Sequence, residues 1–373
     1  MTSEVFFEQI QQQLDKHLPF VAYRKPGEIL VNAMLQPTDD VFTVDDYSEK
    51  GFVFAPFDST KAAILIPLEH SKGISCQNPQ IIKNNTSHTK YQALDLDREQ
   101  HLVLVQKGVD AIKAGLFQKV VLSRIEKTEH TITNPLEVFN ALLHHYPSAF
   151  VYCWYHPQIG FWLGATPETL IHVEGSRFKT MALAGTQKFL GTDKVVWQHK
   201  EKEEQQFVTD FIVHSLKPFA NKLAISEVET IKAGNLLHLK TSISGNLNLK
   251  HTNFKQVLLA LHPTPAVCGL PKEASKRFIL KHEPYQREFY TGFLGELNVQ
   301  LKTNRNTNRR NVENNAYASI KNVSNLFVNL RCMQILNKKT GIYVGGGITK
   351  DSNPEAEWQE TVAKADVMKK VLQ

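Results

Sequence analysis

Apolar residues recur at helical spacing in five stretches and in short strand-like runs between them. The chain opens with an amphipathic pattern in which Val5, Phe6, Ile10 and Leu14 share one side. Residues 51–57 and 62–67 are apolar runs of strand length. Leu96, Leu102, Val105, Val109 and Ile112 predict a helix over 96–116, ended by Gly115. The run KVVLSRIE predicts a strand from Lys119 to Glu126. Asn134-Pro135 opens a helix through His145, which Pro147 closes. Strands are predicted at 149–155 and 160–164, then a long helix over 196–216, acidic first and apolar later. Further strands are predicted at 236–244, 289–299, 323–335 and 342–344, before a terminal helix over 354–372. Residues 76–91 and 301–315 are polar and predict exposed loops. Strands outnumber crossover helices. The pattern therefore predicts an α/β chain of the α+β type, with large mixed or antiparallel sheets and packed helices, rather than a doubly wound parallel fold.

Composition narrows the function classes. The 373 residues are 42% hydrophobic and 21% charged, which excludes a disordered or fibrous chain. No stretch approaches 18 apolar residues, so no membrane span is expected. The first residues carry Glu4, Glu8 and Asp15 and lack the basic head and apolar centre of a signal peptide. Cys76, Cys153, Cys268 and Cys332 form no Cys-x-x-Cys pair, and reduced thiols in a cytoplasmic protein are expected. The net charge is only +6. Its one basic run (Lys302, Arg305, Arg309, Arg310) lacks interleaved aromatics, so nucleic acid is not an expected partner.

Five features could carry chemistry, each with a plainer alternative. Glu201 and Glu204 lie three apart at one predicted helix start, and Glu357 and Glu360 at another. Two such faces meeting would focus four carboxylates on one spot, a set suited to Mg²⁺. Acidic residues also favour helix N-termini without any ligand. Lys119 heads an apolar strand, where desolvation makes a lysine a usable base; the alternative is an edge lysine in solvent. Glu168 follows a strand end and Pro167, where an apolar setting could keep it protonated as a general acid; it could equally be a helix-start glutamate. The glycines from Gly345 allow close backbone approach and offer N–H groups to an anion. They match neither Gly-x-Gly-x-x-Gly nor a Walker motif. His262 sits in a proline-rich loop, 261–269, and a lone histidine is more often structural. No His and Cys spacing of a zinc site is present.

The order of these segments is more specific than any one of them. KVVLSR, FWLGATPETL, ALAGT, KEKEEQ, LLHLKTSISG, LHPTPAVCGLP, FYTGFLGEL, LRCMQI and GGGITKDSNPEAEWQET together resemble the chorismate-utilising enzymes. The resemblance spans about residues 98–370. It implies the fold of that family, with residues 98–373 as the chorismate-binding catalytic core and residues 1–97 as a variable part integrated into the same domain. It implies Mg²⁺ held directly by Glu204 and Glu360 and supported by Glu201 and Glu357. Arg331 and Lys364 fall where the family holds a substrate carboxylate, with backbone N–H groups near Gly345 and Gly346. Gly185 and Thr186 fall where it lines the ring. His238, His262, Ala266 and Tyr290 lie in motifs that face its site.

The reaction implied begins with a nucleophile at ring carbon 2 while hydroxide leaves carbon 4. Glu168 occupies the acid position and Lys119 that of the base for water. Anthranilate synthases usually carry Gln at Lys119. Aminodeoxychorismate synthases carry a nucleophilic lysine where this chain has Ala184. Water is thus the implied nucleophile and isochorismate the implied product, destined for menaquinone or siderophore synthesis. Salicylate synthases differ at the loop carrying Ala266. A salicylate synthase, or a silent chorismate-binding relative, is the alternative. Cys268 departs from the small residue common there. No tryptophan-feedback element appears near the N-terminus. Water needs no glutaminase subunit, so a monomer is expected.

Overall fold

A computed structural model describes residues 1–77, 79, 95–128, 132–233, 236–248, 252–303, 319–336 and 339–372. The predicted loops at 76–91 and 301–315 lie almost wholly outside the described residues.

Two large sheets pack face to face between layers of helices. One has nine strands, in the order Gly269–Leu270, Lys119–Thr128, Lys339–Ile348, Cys332–Leu336, Gly160–Thr166, Phe150–His156, Phe20–Arg24, Leu30–Leu35 and Lys72–Gln77. The other runs Ala220–Ile225, Leu236–Leu247, Arg177–Lys188, Thr169–Glu174, Ser319–Val328, Phe293–Thr303, Gly51–Ala55, Ile64–Pro67 and Phe42–Thr43. Glu229–Ala233 pairs beside Leu236–Leu247. Neighbouring strands pair antiparallel throughout the described residues.

The strand Phe150–His156 shows why the sequence gives continuous apolar runs instead of alternation. Successive side chains of a strand point to opposite faces. Phe150, Tyr152 and Trp154 enter the aromatic core between the sheets, with Phe54, Trp162, Phe289 and Phe327. Val151 and Cys153 point outward, under the helices Ser3–Asp15, Pro135–His145 and Pro354–Lys369. Both faces are covered, so both sets are apolar. The helices His199–Leu216 and Phe254–Leu261 cover the outer face of the second sheet. The four cysteines are buried and free.

Two strand predictions change in a way that creates the site. Residues 323–335 do not form one strand: Ser319–Val328 belongs to the second sheet and Cys332–Leu336 to the first. Arg331 adopts a left-handed conformation at the break, with φ 48°. The Asn329 side chain, bonded to the Tyr152 hydroxyl and the Phe289 carbonyl, fixes the crossing. Gly160–Thr166 and Thr169–Glu174 cross between the sheets in the same way at Pro167-Glu168. The two crossings are tied together, because Val328 N–H donates to the Glu168 carbonyl and Ala165 N–H to the Arg331 carbonyl, each at 3.0 Å.

Three boundaries also move. The predicted strand at 289 begins at Phe293, because Glu288 and Thr291 turn with φ 49° and 59°. The predicted helix at 196 begins at His199, because Trp197 is drawn away to bond Thr230 and pack on Leu237 and Leu239. The glycine run lies inside the strand Lys339–Ile348, paired with residues 121–123, and does not follow it.

Candidate active site

The open seam where the chain crosses between sheets forms one cavity. Glu168 and Arg331 come from the two crossings, Gly345–Gly347 from a strand of the first sheet, and Glu201, Glu204 and Glu360 from two helix starts, with Glu357 buried beside them. In the helix His199–Leu216 the buried positions are Gln205, Val208, Thr209, Ile212 and Leu216. Glu201 and Glu204 continue that face one turn beyond the sheet, as an i, i+3 pair must. Glu357 and Glu360 do the same from the helix Pro354–Lys369, whose Glu357, Trp358, Thr361, Ala365 and Met368 are buried.

Lys119 is fully buried, and its ammonium donates to Glu204 Oε1 at 2.7 Å. Lys364 pairs with Glu360 at 2.7 Å and also reaches the Gly345 carbonyl at 3.0 Å. Lys200 pairs with Glu357 at 2.9 Å. Three ammonium groups thus neutralise much of a four-carboxylate set. Burial acts to raise the Glu204 carboxyl, but Lys119, with Lys364 and Lys200 beyond it, outweighs burial and holds it below its usual range. Glu357 goes the other way: burial raises it, Lys200 opposes, and the neighbouring Glu360 adds to the rise.

Among the described residues no three His, Cys, Asp or Glu side chains converge as a closed metal cluster. The carboxylate set nevertheless fits a hard divalent cation. Glu201 Oε2 and Glu357 Oε2 are buried with no hydrogen-bond partner among the described groups. Buried carboxylate oxygens in that state call for a cation or ordered water. The glycines keep the space open. A Cβ on Gly346 would stand 3.3 Å from Glu357 Oε2, and one on Gly347 2.8 Å from Glu204 Oε1.

Glu168 is 3% exposed, and burial raises its carboxyl to about 8 against the opposing charges of Lys119 and Arg331. At about 8 its carboxyl stays largely protonated at neutral pH. Arg331, half-buried, is pulled down to about 10 by desolvation, with Tyr146 and Glu168 acting the other way. It remains a cation. Gly185, Thr186, His238, Ala266 and Tyr290 also line the cavity.

His262 does not. Its ring turns from the cavity to donate Nε2–H to the Thr291 carbonyl, 2.9 Å away, and packs edge-on against Phe293. The proline-rich loop meets the site through Ala266 and Val267 instead. Sequence reasoning also missed Lys200 and Gly347. A lysine within the acidic run beside Glu201 was the available signal for the first. For the second it was the third glycine of the run, at the residue paired with Val121.

Residues 58–304 match the family model described as "Chorismate binding enzyme", and residues 316–370 match a second model of the same description. The chain is 27% identical over 339 residues to the isochorismate synthase DhbC of Bacillus subtilis, covering 85% of this chain and 79% of that protein. It is 30% identical over 314 residues to the isochorismate synthase MenF of Pasteurella multocida, covering 79% of this chain and 65% of that protein. The solved structure of MenF, the menaquinone-specific isochorismate synthase from Escherichia coli, superposes with a TM-score of 0.75 at 21% identity, over 95% of this chain and 89% of that one.

Proposed function

The chain belongs to the chorismate binding enzymes, and on that premise we propose that it converts chorismate to isochorismate by adding water at ring carbon 2 as hydroxide leaves carbon 4. The observation that carries this reading is a buried, protonated Glu168 lining the same cavity as Glu204, with the fully buried Lys119 2.7 Å behind Glu204. Glu168 is the general acid. Departing hydroxide is a poor leaving group, and Glu168 gives it a proton so that it leaves as water. Lys119 is the general base: once its ammonium has released its proton, the free amine takes one from the attacking water. The net result moves a hydroxyl from carbon 4 to carbon 2 and consumes no water overall. Ala184 lines the cavity without a nucleophile, so no covalent adduct is available there.

Arg331 holds a substrate carboxylate through its planar fork, and Lys364 with the Gly345–Gly346 backbone holds the same end. Gly185, Thr186, Ala266 and Tyr290 give the ring its walls. Glu204 and Glu360, with Glu201 and Glu357 in support, would hold Mg²⁺. That ion supplies a Lewis-acid template for the second carboxylate. A water nucleophile requires no ammonia supply, so the enzyme works without a glutaminase subunit, as a monomer. Residues 98–373 are its catalytic core. The product feeds menaquinone or siderophore synthesis.

The test is the product formed from chorismate by purified protein, with and without Mg²⁺, resolved by liquid chromatography and proton NMR. Isochorismate without pyruvate, only with Mg²⁺, is expected. Salicylate with pyruvate, or no product, would overturn the assignment.

A further inference from the structure

His238 has no part in the proton transfers, yet its two ring nitrogens join opposite sides of the cavity. It lies on the strand Leu236–Leu247, facing a slip in register between Ala184 and Gln187 of the neighbouring strand. Gly185 makes that slip with φ 69°, and a Cβ there would stand 3.1 Å from the Glu201 Cβ. The slip therefore seats the helix start that carries Glu201. His238 Nδ1 lies 2.9 Å from the Gly185 carbonyl oxygen and 3.4 Å from Thr186 Oγ1. A carbonyl only accepts, so Nδ1 carries the proton. Nε2 lies 2.8 Å from Arg331 Nη2, which only donates, so Nε2 is bare. One tautomer alone satisfies both contacts. Burial and the charge of Arg331 keep the ring neutral, pushing it down to about 3 against the Gly185 contact.

Arg331 needs such a partner. Its left-handed backbone is strained for a residue with a side chain, and its long side chain has many rotamers to lose. An acceptor at Nη2 restricts the guanidinium.

We propose that His238 is a positioning residue. Held as its Nδ1-protonated tautomer, its ring fixes the Arg331 guanidinium for the substrate carboxylate and, through Gly185, the turn beneath Glu201. The first half rests on the reading of Arg331 as the carboxylate partner.

Two measurements test it. In the first, chorismate kinetics are compared for wild type, His238→Leu and His238→Gln. Leucine removes both contacts, whereas glutamine keeps an oxygen for Arg331. Loss of a hydrogen bond to a charged group should raise KM about tenfold to a hundredfold in the leucine variant, with kcat little changed. Glutamine should recover most of the loss. A fall in kcat at unchanged KM would overturn the proposal, because the ring would then act on reacting atoms. Equal damage from glutamine and leucine would overturn it too. In the second, the protein is labelled with ¹⁵N-histidine and its NMR spectrum recorded without substrate at pH 7.5, with His238→Gln assigning the signal. A protonated Nδ1 and bare Nε2 are expected; a protonated Nε2 overturns the proposal. This readout needs no turnover. If chorismate proves not to be the substrate, the functional reading fails while the tautomer still decides the role of His238.

Discussion

Glu168→Gln should slow turnover sharply and stabilise the fold, with a gain that grows with pH. The carboxyl moves from an ordinary 4.5 in the unfolded chain to about 8 in the folded one. Between those values the folded state binds the proton that the unfolded state has released. Folding stability from this group is therefore fully present below pH 4.5 and is lost as pH rises towards 8. At about 1.4 kcal/mol per pH unit, Glu168 costs the fold roughly 1 kcal/mol at pH 5.5, roughly 3 at pH 7 and roughly 5 above pH 8. Glutamine has nearly the same shape and no such titration. Paired denaturant titrations at pH 5.5, 7.0 and 8.5, without substrate, should show the variant gaining by roughly those amounts. The same variant should lose a factor of about 10² to 10⁴ in kcat, because the leaving hydroxide loses its acid. A stability difference that stays flat with pH would refute the buried protonated acid, even if activity were lost.

Other consequences follow from the same geometry. Lys119→Ala should remove isochorismate formation while the protein still binds chorismate, checked by calorimetry beside the product assay. Glu204→Ala and Glu360→Ala should each abolish Mg²⁺ binding measured by isothermal titration without substrate, whereas the exposed Glu203→Ala should leave it unchanged. Gly347→Ala places a methyl group 2.8 Å from Glu204 Oε1 and 3.1 Å from Lys119 Cε. It should weaken Mg²⁺ binding and kcat by tenfold or more, with a native circular dichroism spectrum.

Much of the fold is legible locally because strand length and helix period are local properties. The helix Pro135–His145 follows from Asn134, whose side chain accepts the Leu136 N–H, and from Pro135 behind it. The break at Arg331 was hidden for a physical reason. Residues 323–328 and 332–335 are both strand-like, and the crossing is enforced by Asn329, Tyr152 and Phe289 from three separate segments. The acidic pairs were visible as i, i+3 spacing, but spacing says nothing of what faces them. Lys200, Lys364 and Lys119 reach those carboxylates across folded distances or from within one helix turn, and only the packed structure sorts the partners. The family likeness marked His262 as facing the site. The fold turns its ring to Thr291, because a buried imidazole needs a partner and that carbonyl is the one beside it.

The central claim is that water, activated at Lys119, becomes the new hydroxyl while Glu168 releases the old one. The most direct measurement is turnover of chorismate with Mg²⁺ in ¹⁸O-labelled water, with the isochorismate analysed by mass spectrometry and its label placed by ¹³C NMR. The account predicts one solvent oxygen in the product, on ring carbon 2. Isochorismate formed without solvent oxygen would mean that the original hydroxyl migrates within the molecule, and would contradict it.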